Sequence, residues 1–259
     1  MDGKLRTLLV SVEDIIMSGE STDTPSHQYS ELAELAGGFI HEIKNRVGTL
    51  SLNLQLLGED FETPETQRER RSLDRILRLQ GECQKLVDLA SDFLRFARVQ
   101  DLTTEPTSLD TVVTRMLDFL APTAREQKNI EIGWFPANDL PPVHIQRDLF
   151  EQCLLNLMLN AEEAMPEGGT LTLIGRCDGG KSGEVEKWVC LEVIDTGHGM
   201  SPQQLAKLFR PFHTTKTNGN GLGLAISRKI IAAHGGTIEA QSEPGRGTKF
   251  TIRLPVRMI

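Results

Sequence analysis

His41 and Glu42 stand side by side in the run Phe39-Ile40-His41-Glu42-Ile43-Lys44-Asn45, with an amide four residues after the imidazole. Imidazole is neutral and nucleophilic near pH 7, and a carboxylate that takes its second ring N–H steers it, a task Glu42 is placed to do. His41 lies two positions from both Phe39 and Ile43. Two helical steps of roughly 100° turn it about 200° away from each apolar neighbour, so it faces solvent, where a reactant can meet it. The same placement suits an ordinary surface histidine, and this stretch alone does not separate the two.

Four later segments have a composition that packing does not require. In Leu154-Leu155-Asn156-Leu157-Met158-Leu159-Asn160-Ala161 two amides four apart share one face of an apolar helix. Buried amides need partners, and hydrated Mg²⁺ with nucleotide phosphates would supply them, as would nearby backbone. Val193-Ile194-Asp195-Thr196-Gly197-His198-Gly199 ends an apolar strand on a carboxylate followed by two glycines. That pattern fits either an acceptor for an exocyclic amine such as that of adenine, under a flat ring close to the backbone, or a plain strand-to-helix turn. Leu208-Phe209-Arg210-Pro211-Phe212-His213-Thr214-Thr215-Lys216 places two aromatics before hydroxyls and a lysine. Phe209 and Phe212 read as anchors and Lys216 as a phosphate contact, or else as core rings beside a solvated lysine. Gly219-Asn220-Gly221-Leu222-Gly223-Leu224 opens directly into a helix, whose free N–H groups and dipole favour anions. It follows no strand and carries no lysine-serine pair, so neither the dinucleotide fingerprint nor the P-loop fits.

These residues need a scaffold, and the chain is long enough to give one. Its 259 residues suit about two domains. Lys and Arg total 28 against 36 Asp and Glu, a net charge of −8, which argues against general affinity for nucleic acid or an anionic membrane surface. Cys83, Cys153, Cys177 and Cys190 show no C-x-x-C spacing and read as reduced core thiols of a cytosolic protein, with no metal cluster. No apolar run reaches about 18 residues and no signal peptide is visible, so a cytoplasmic chain without membrane insertion is expected.

In chain order, segment 1–27 reads as a short amphipathic helix (Leu5, Leu8, Leu9, Val12, Ile15, Ile16) and a polar linker, too short for a sensor domain. Segment 28–101 reads as two long helices around a turn at 58–64. Leu32, Ala36, Phe39, Ile43, Val47, Leu50, Leu54 and Leu57 draw one stripe, and Ile76, Leu79, Cys83, Leu86, Ala90, Phe93 and Ala97 a coiled-coil-like seam. Such an αα-hairpin carries more apolar surface than one pair can hide, so two copies are expected to form a four-helix bundle in a homodimer. Turn formers at 101–108 mark a boundary and a hinge. Beyond it, over 108–259, an α/β sandwich is expected. Its helices fall near 109–128, 147–165, 202–208 and 222–233. Its strands fall near 130–134, 143–145, 170–176, 188–194, 237–243 and 248–254.

Taken together and in this order, the segments resemble the cytoplasmic core of a two-component sensor histidine kinase, over about residues 28 to 257. The resemblance implies the ATP-binding fold shared with DNA gyrase, the ATP-dependent heat-shock chaperones and the MutL mismatch-repair proteins. By similarity, Asn160 with Asn156 holds Mg²⁺ and phosphates, Asp195 takes adenine with Gly197 and Gly199 beside it, and Thr248, in the closing strand, belongs to the nucleotide-binding set. Lys216 with the glycine loop of Gly219, Gly221, Leu222 and Gly223 belongs to a mobile lid, and Phe209 and Phe212 form the phenylalanine box before it. Related ATP hydrolases carry a water-activating glutamate where Asn156 stands, and an amide cannot take a proton. ATP is therefore expected to wait for His41, the phosphoacceptor oriented by Glu42, before the phosphoryl group passes to an aspartate of a response-regulator receiver domain. Asn45 is expected to position water for dephosphorylation of that regulator. Many relatives place proline after that amide; Arg46 stands there instead, so no kink is expected. The rivals are an ATPase or serine kinase of the same fold, for which the hairpin has no purpose, and a non-catalytic regulator-binding module, against which Asp195, Asn160 and the glycine loop speak.

Overall fold

The computed structural model describes residues 26–99, 102–178, 187–214, 216 and 219–256, with the side chains of 26–39, 41, 97 and 98 excepted. The amphipathic segment expected near the start lies outside the described residues. The chain divides into two compact units, Met1–Ala97 and Arg98–Ile259.

The first unit is built from α1 (Ser26–Glu59) and α2 (Gln67–Arg98). A capping box starts α2. Thr66 Oγ1 accepts from the Glu69 N–H, while the Glu69 carboxylate accepts from the N–H groups of Thr66 and Glu65, contacts that hold its pKa below the usual value. The single stripe expected on α1 divides in two. Ile40 and Val47, seven apart, are buried, as are Ile76 and Ala90 on α2, whereas Leu50, Leu57, Leu79 and Leu86 remain between 45% and 58% exposed. Ile40, left out of the expected stripe, is thus a core residue. One helix pair can cover only about one heptad position per helix, so the second position stays open.

The second unit begins earlier than the turn formers suggested. Three residues of the expected hinge form β1 (Glu105–Thr107), which pairs antiparallel with β3 (Val143–Ile145) and buries Thr107. An extended Pro106 fits an edge strand, where its missing N–H costs no ladder bond. Ser108 then caps α3 (Leu109–Lys128), accepting from the Thr111 N–H.

The remaining elements follow as β2 (Ile130–Pro136), α4 (Arg147–Ala164), β4 (Gly169–Asp178), β5 (Trp188–Asp195), α5 (Pro202–Leu205), α6 (Gly223–Ala233), β6 (Thr237–Glu243) and β7 (Gly247–Pro255). The main sheet has the order β2-β4-β5-β7-β6, with β2 parallel to β4 and the other pairs antiparallel. Alternation divides its faces. Leu173, Val193 and Phe250 lie in one register row and Leu191, Ile252 and Ile238 in another, all buried, and α4 packs against β4, β5 and β7. The opposite face is polar, with Glu192 bridging Arg176 at 3.0 Å and Lys249 at 3.7 Å. The result is a mixed α/β sandwich after a helical hairpin.

All four cysteines are free. Cys153 and Cys190 are buried, with burial pushing their thiols up to about 12 and about 11. Cys177 is exposed and Cys83 only half-buried, so the expectation of four core thiols is corrected: Cys177 sits next to the last residue of β4, beyond the buried positions Leu171, Leu173 and Gly175 of the same face. Among the described residues no helix is long and apolar enough to cross a membrane.

Candidate functional site

Asp195 is carried into the interior by its own strand. Val189, Leu191 and Val193 bury the same face of β5, and the carboxylate two residues on is left only 4% exposed. Its Oδ1 accepts from the backbone N–H of Gly197 at 2.8 Å and of Thr248 at 3.1 Å. Among the described residues no donor reaches Oδ2. Burial raises the pKa of the carboxyl, and the two N–H groups pull it back down. Gly247, at φ +89°, permits this corner, because a Cβ there would stand 1.9 Å from the Asp195 carbonyl oxygen. Gly197 fits against Ala164 at the end of α4, and Gly199 lies against the Glu243 backbone.

On α4 the two expected amides do share a face. Asn156 Nδ2 donates to Ser227 Oγ at 2.9 Å, Ser227 Oγ donates to the Gly223 carbonyl, and Asn160 Nδ2 reaches Asn156 Oδ1 at 3.5 Å. The start of α6 is pressed onto this amide row. A Cβ on Gly223 would stand 2.5 Å from Asn156 Oδ1, so only glycine brings the helix end this close. Among the described residues no side chain caps α6, and Leu222, fully buried, donates its N–H to Asn220 Oδ1. The uncapped N–H groups therefore open next to Asn156. Lys216 Nζ donates to Asn160 Oδ1 at 2.5 Å and to the Glu163 carboxylate. The outer amide oxygen is thus a cation acceptor, as a hard divalent ion requires.

The aromatic segment departs from expectation. Phe209 is half-buried with the Arg228 guanidinium 5.8 Å from its ring centroid, but Phe212 is 48% exposed. Phe212 has φ +60°, a left-handed turn that throws its ring outward instead of anchoring it. Gly221, at φ +69°, nestles on the Phe212–His213 backbone, and Gly219 lies against Thr214 and Lys216.

Three contributors were missed from the sequence. Ser227 lies one turn after Gly223, and Glu163 three residues after Asn160; helical spacing alone could have found both. His234 is 2% exposed at the end of α6. Its Nε2 faces the Gln146 N–H at 2.9 Å and so must be the acceptor, leaving Nδ1–H to donate to the Ile230 carbonyl at 2.7 Å. No sequence pattern signals that tie between α6 and the start of α4.

In the first unit α1 carries His41, Glu42 and Asn45 within little more than one turn, and the helix runs through Arg46 without a break. The His41 side chain, and with it the expected steering by Glu42, lies outside the described residues. Glu42 accepts from Arg46 Nε at 3.1 Å and from a terminal guanidinium nitrogen at 2.6 Å, an exposed pair one turn apart. Asn45 is exposed on the following turn.

Residues 145–258 match the family described as the histidine kinase-, DNA gyrase B- and HSP90-like ATPases. The chain is 32% identical over 226 residues to the sensor histidine kinase ZraS of Klebsiella oxytoca, an alignment covering 87% of this chain and 46% of that kinase. The chain thus spans about half the length of such curated relatives. Among solved structures it resembles full-length ShkA in complex with AMPPNP, with TM-score 0.65 and 28% identity over 85% of this chain and 45% of that one. It also resembles histidine kinase ThkA in complex with the response regulator protein TrrA, with TM-score 0.59 and 25% identity over 88% of this chain and 63% of that one.

Proposed function

The chain is homologous to the catalytic core of the sensor histidine kinases, a helical hairpin followed by the ATPase domain, and on that premise we propose that it phosphorylates His41 from Mg-ATP and passes the phosphoryl group to a response regulator. One observation carries the reading. The Asp195 corner, the Asn156–Asn160 row and the open end of α6 all adjoin α4, the first through Ala164 and the last through Asn156, which matches the three parts of a nucleotide.

The adenine amine donates to Asp195, whose Oδ2 is left over after Gly197 and Thr248 have taken Oδ1. The phosphates lie along the uncapped start of α6, with Lys216 as a charge partner. Asn160, through the oxygen that already accepts an ammonium, and Asn156 are the residues that hold Mg²⁺, which when bound neutralises triphosphate charge. Asn156 is engaged by Ser227 and has no basic site, so it does not activate water. ATP survives until His41 arrives.

Neutral imidazole then attacks the γ-phosphorus, the bond to the ADP oxygen breaks, and a phosphorus–nitrogen bond forms. The protein's part is positioning, which supplies roughly 7–11 kcal/mol. A receiver aspartate takes the group in turn, and Asn45 orients water for the reverse signal. The open leucines of the hairpin pair with a second copy. The test is transfer: labelled protein mixed with a panel of receiver domains should lose label quickly to one of them, and label that moves to none of a complete set overturns the regulator step.

A further inference from the structure

Two oxygens on one face of α4 close on a single cation. Lys216 Nζ donates to Asn160 Oδ1 and to Glu163, which are three residues apart and so project from the same side of the helix. On the nucleotide reading, on which this inference rests, Asn160 Oδ1 is also the oxygen offered to Mg²⁺. An ammonium and a divalent ion repel each other strongly at contact distance, so that oxygen serves one of them at a time. Lys216 cannot face the phosphates while it remains there, because Glu163 already neutralises its charge.

We infer that Glu163 is a positioning residue that parks Lys216 on Asn160 in the nucleotide-free chain, so that the lysine and the metal compete for one amide oxygen. Lys216 keeps the amide row satisfied while no nucleotide is bound. It is released toward the phosphates only when metal-bound nucleotide takes its place. Neither partner is buried: the two side chains are 44% and 55% exposed, so the pair is a weak, reversible latch and not a structural clamp.

The test is a double-mutant cycle on nucleotide affinity, read by calorimetry with ATP in EDTA and with ATP in excess Mg²⁺, for the unaltered chain, Glu163→Gln, Lys216→Met and the pair. Removing the carboxylate relieves repulsion of phosphate in any background, but it frees Lys216 only where Lys216 exists. Glu163→Gln should therefore tighten metal-free ATP more in the unaltered chain than in Lys216→Met, by about two- to fivefold for an exposed pair. An equal or larger gain in Lys216→Met overturns the latch, leaving Glu163 as a repelling charge. Matching thermal melts guard against a folding artefact. If the unaltered chain binds no ATP even with millimolar Mg²⁺, the nucleotide reading itself fails; if it binds and the cycle shows no coupling, only the latch does.

Discussion

The backbone N–H of Thr248 donates to Oδ1 of Asp195 across the β5–β7 ladder, so the start of one strand fixes the carboxylate at the end of the next. Asparagine keeps that oxygen but replaces Oδ2 by a donor, which would face the donor of an adenine amine. Asp195→Asn should therefore weaken ATP binding about 10- to 150-fold, the worth of one hydrogen bond to a charged group being roughly 1.5–3 kcal/mol. Burial raises the Asp195 pKa, so its folded form binds the proton more readily than its unfolded form. Ionising it therefore costs stability as pH rises through that window, and the asparagine variant should melt no lower than the parent at pH 7. Calorimetric titration and thermal melts read both halves, and a variant that binds ATP normally removes Asp195 from the site.

Leu79 and Leu86 stand open on α2, two turns apart, while Ile76 and Ala90 are covered inside the hairpin. Burying a leucine stabilises by roughly 1.5–3 kcal/mol, so four such side chains from two copies can hold a dimer. Sedimentation should find a dimer, and the double variant Leu79→Glu with Leu86→Glu a folded monomer. A monomeric parent, or a variant that still pairs, contradicts the bundle.

Much of this architecture was legible in the sequence because hydrophobic period alone fixes it. The alternation of Val189, Leu191 and Val193, for instance, both defines β5 and buries Asp195 at its end. What could not be read was decided by tertiary partners. The stripe on α1 looked single because spacing cannot say which heptad position meets α2 and which stays open. Glu105–Thr107 looked like a turn because its partner, Val143–Ile145, lies far along the chain. Phe212 looked like an anchor because composition carries no sign of a positive φ. His234 gave no signal at all, since its acceptor role is set by Gln146, on another element.

That histidine should make the second unit sensitive to acid. Burial lowers the His234 pKa, with the Ile230 carbonyl opposing, so the folded state favours the neutral ring that accepts from Gln146. A depressed folded pKa gives stability that is full above the unfolded value of about 6.5 and is lost as pH falls below it. Melts between pH 7.5 and 5 should show this decline. His234→Phe, which leaves the Gln146 N–H unpaired, should be less stable by about 1–3 kcal/mol at pH 7.5 but flatter with pH. A parallel decline in parent and variant assigns the acid sensitivity to other groups.

In the proposed reaction the γ-phosphoryl group of ATP ends on His41. The direct measurement is incubation of the unaltered chain and of His41→Gln with γ-labelled ATP and Mg²⁺, followed by acid and alkali treatment of the recovered protein. The unaltered chain should carry an acid-labile, alkali-stable label and the variant none. Label that survives in His41→Gln, or free phosphate released with no labelled protein, contradicts it.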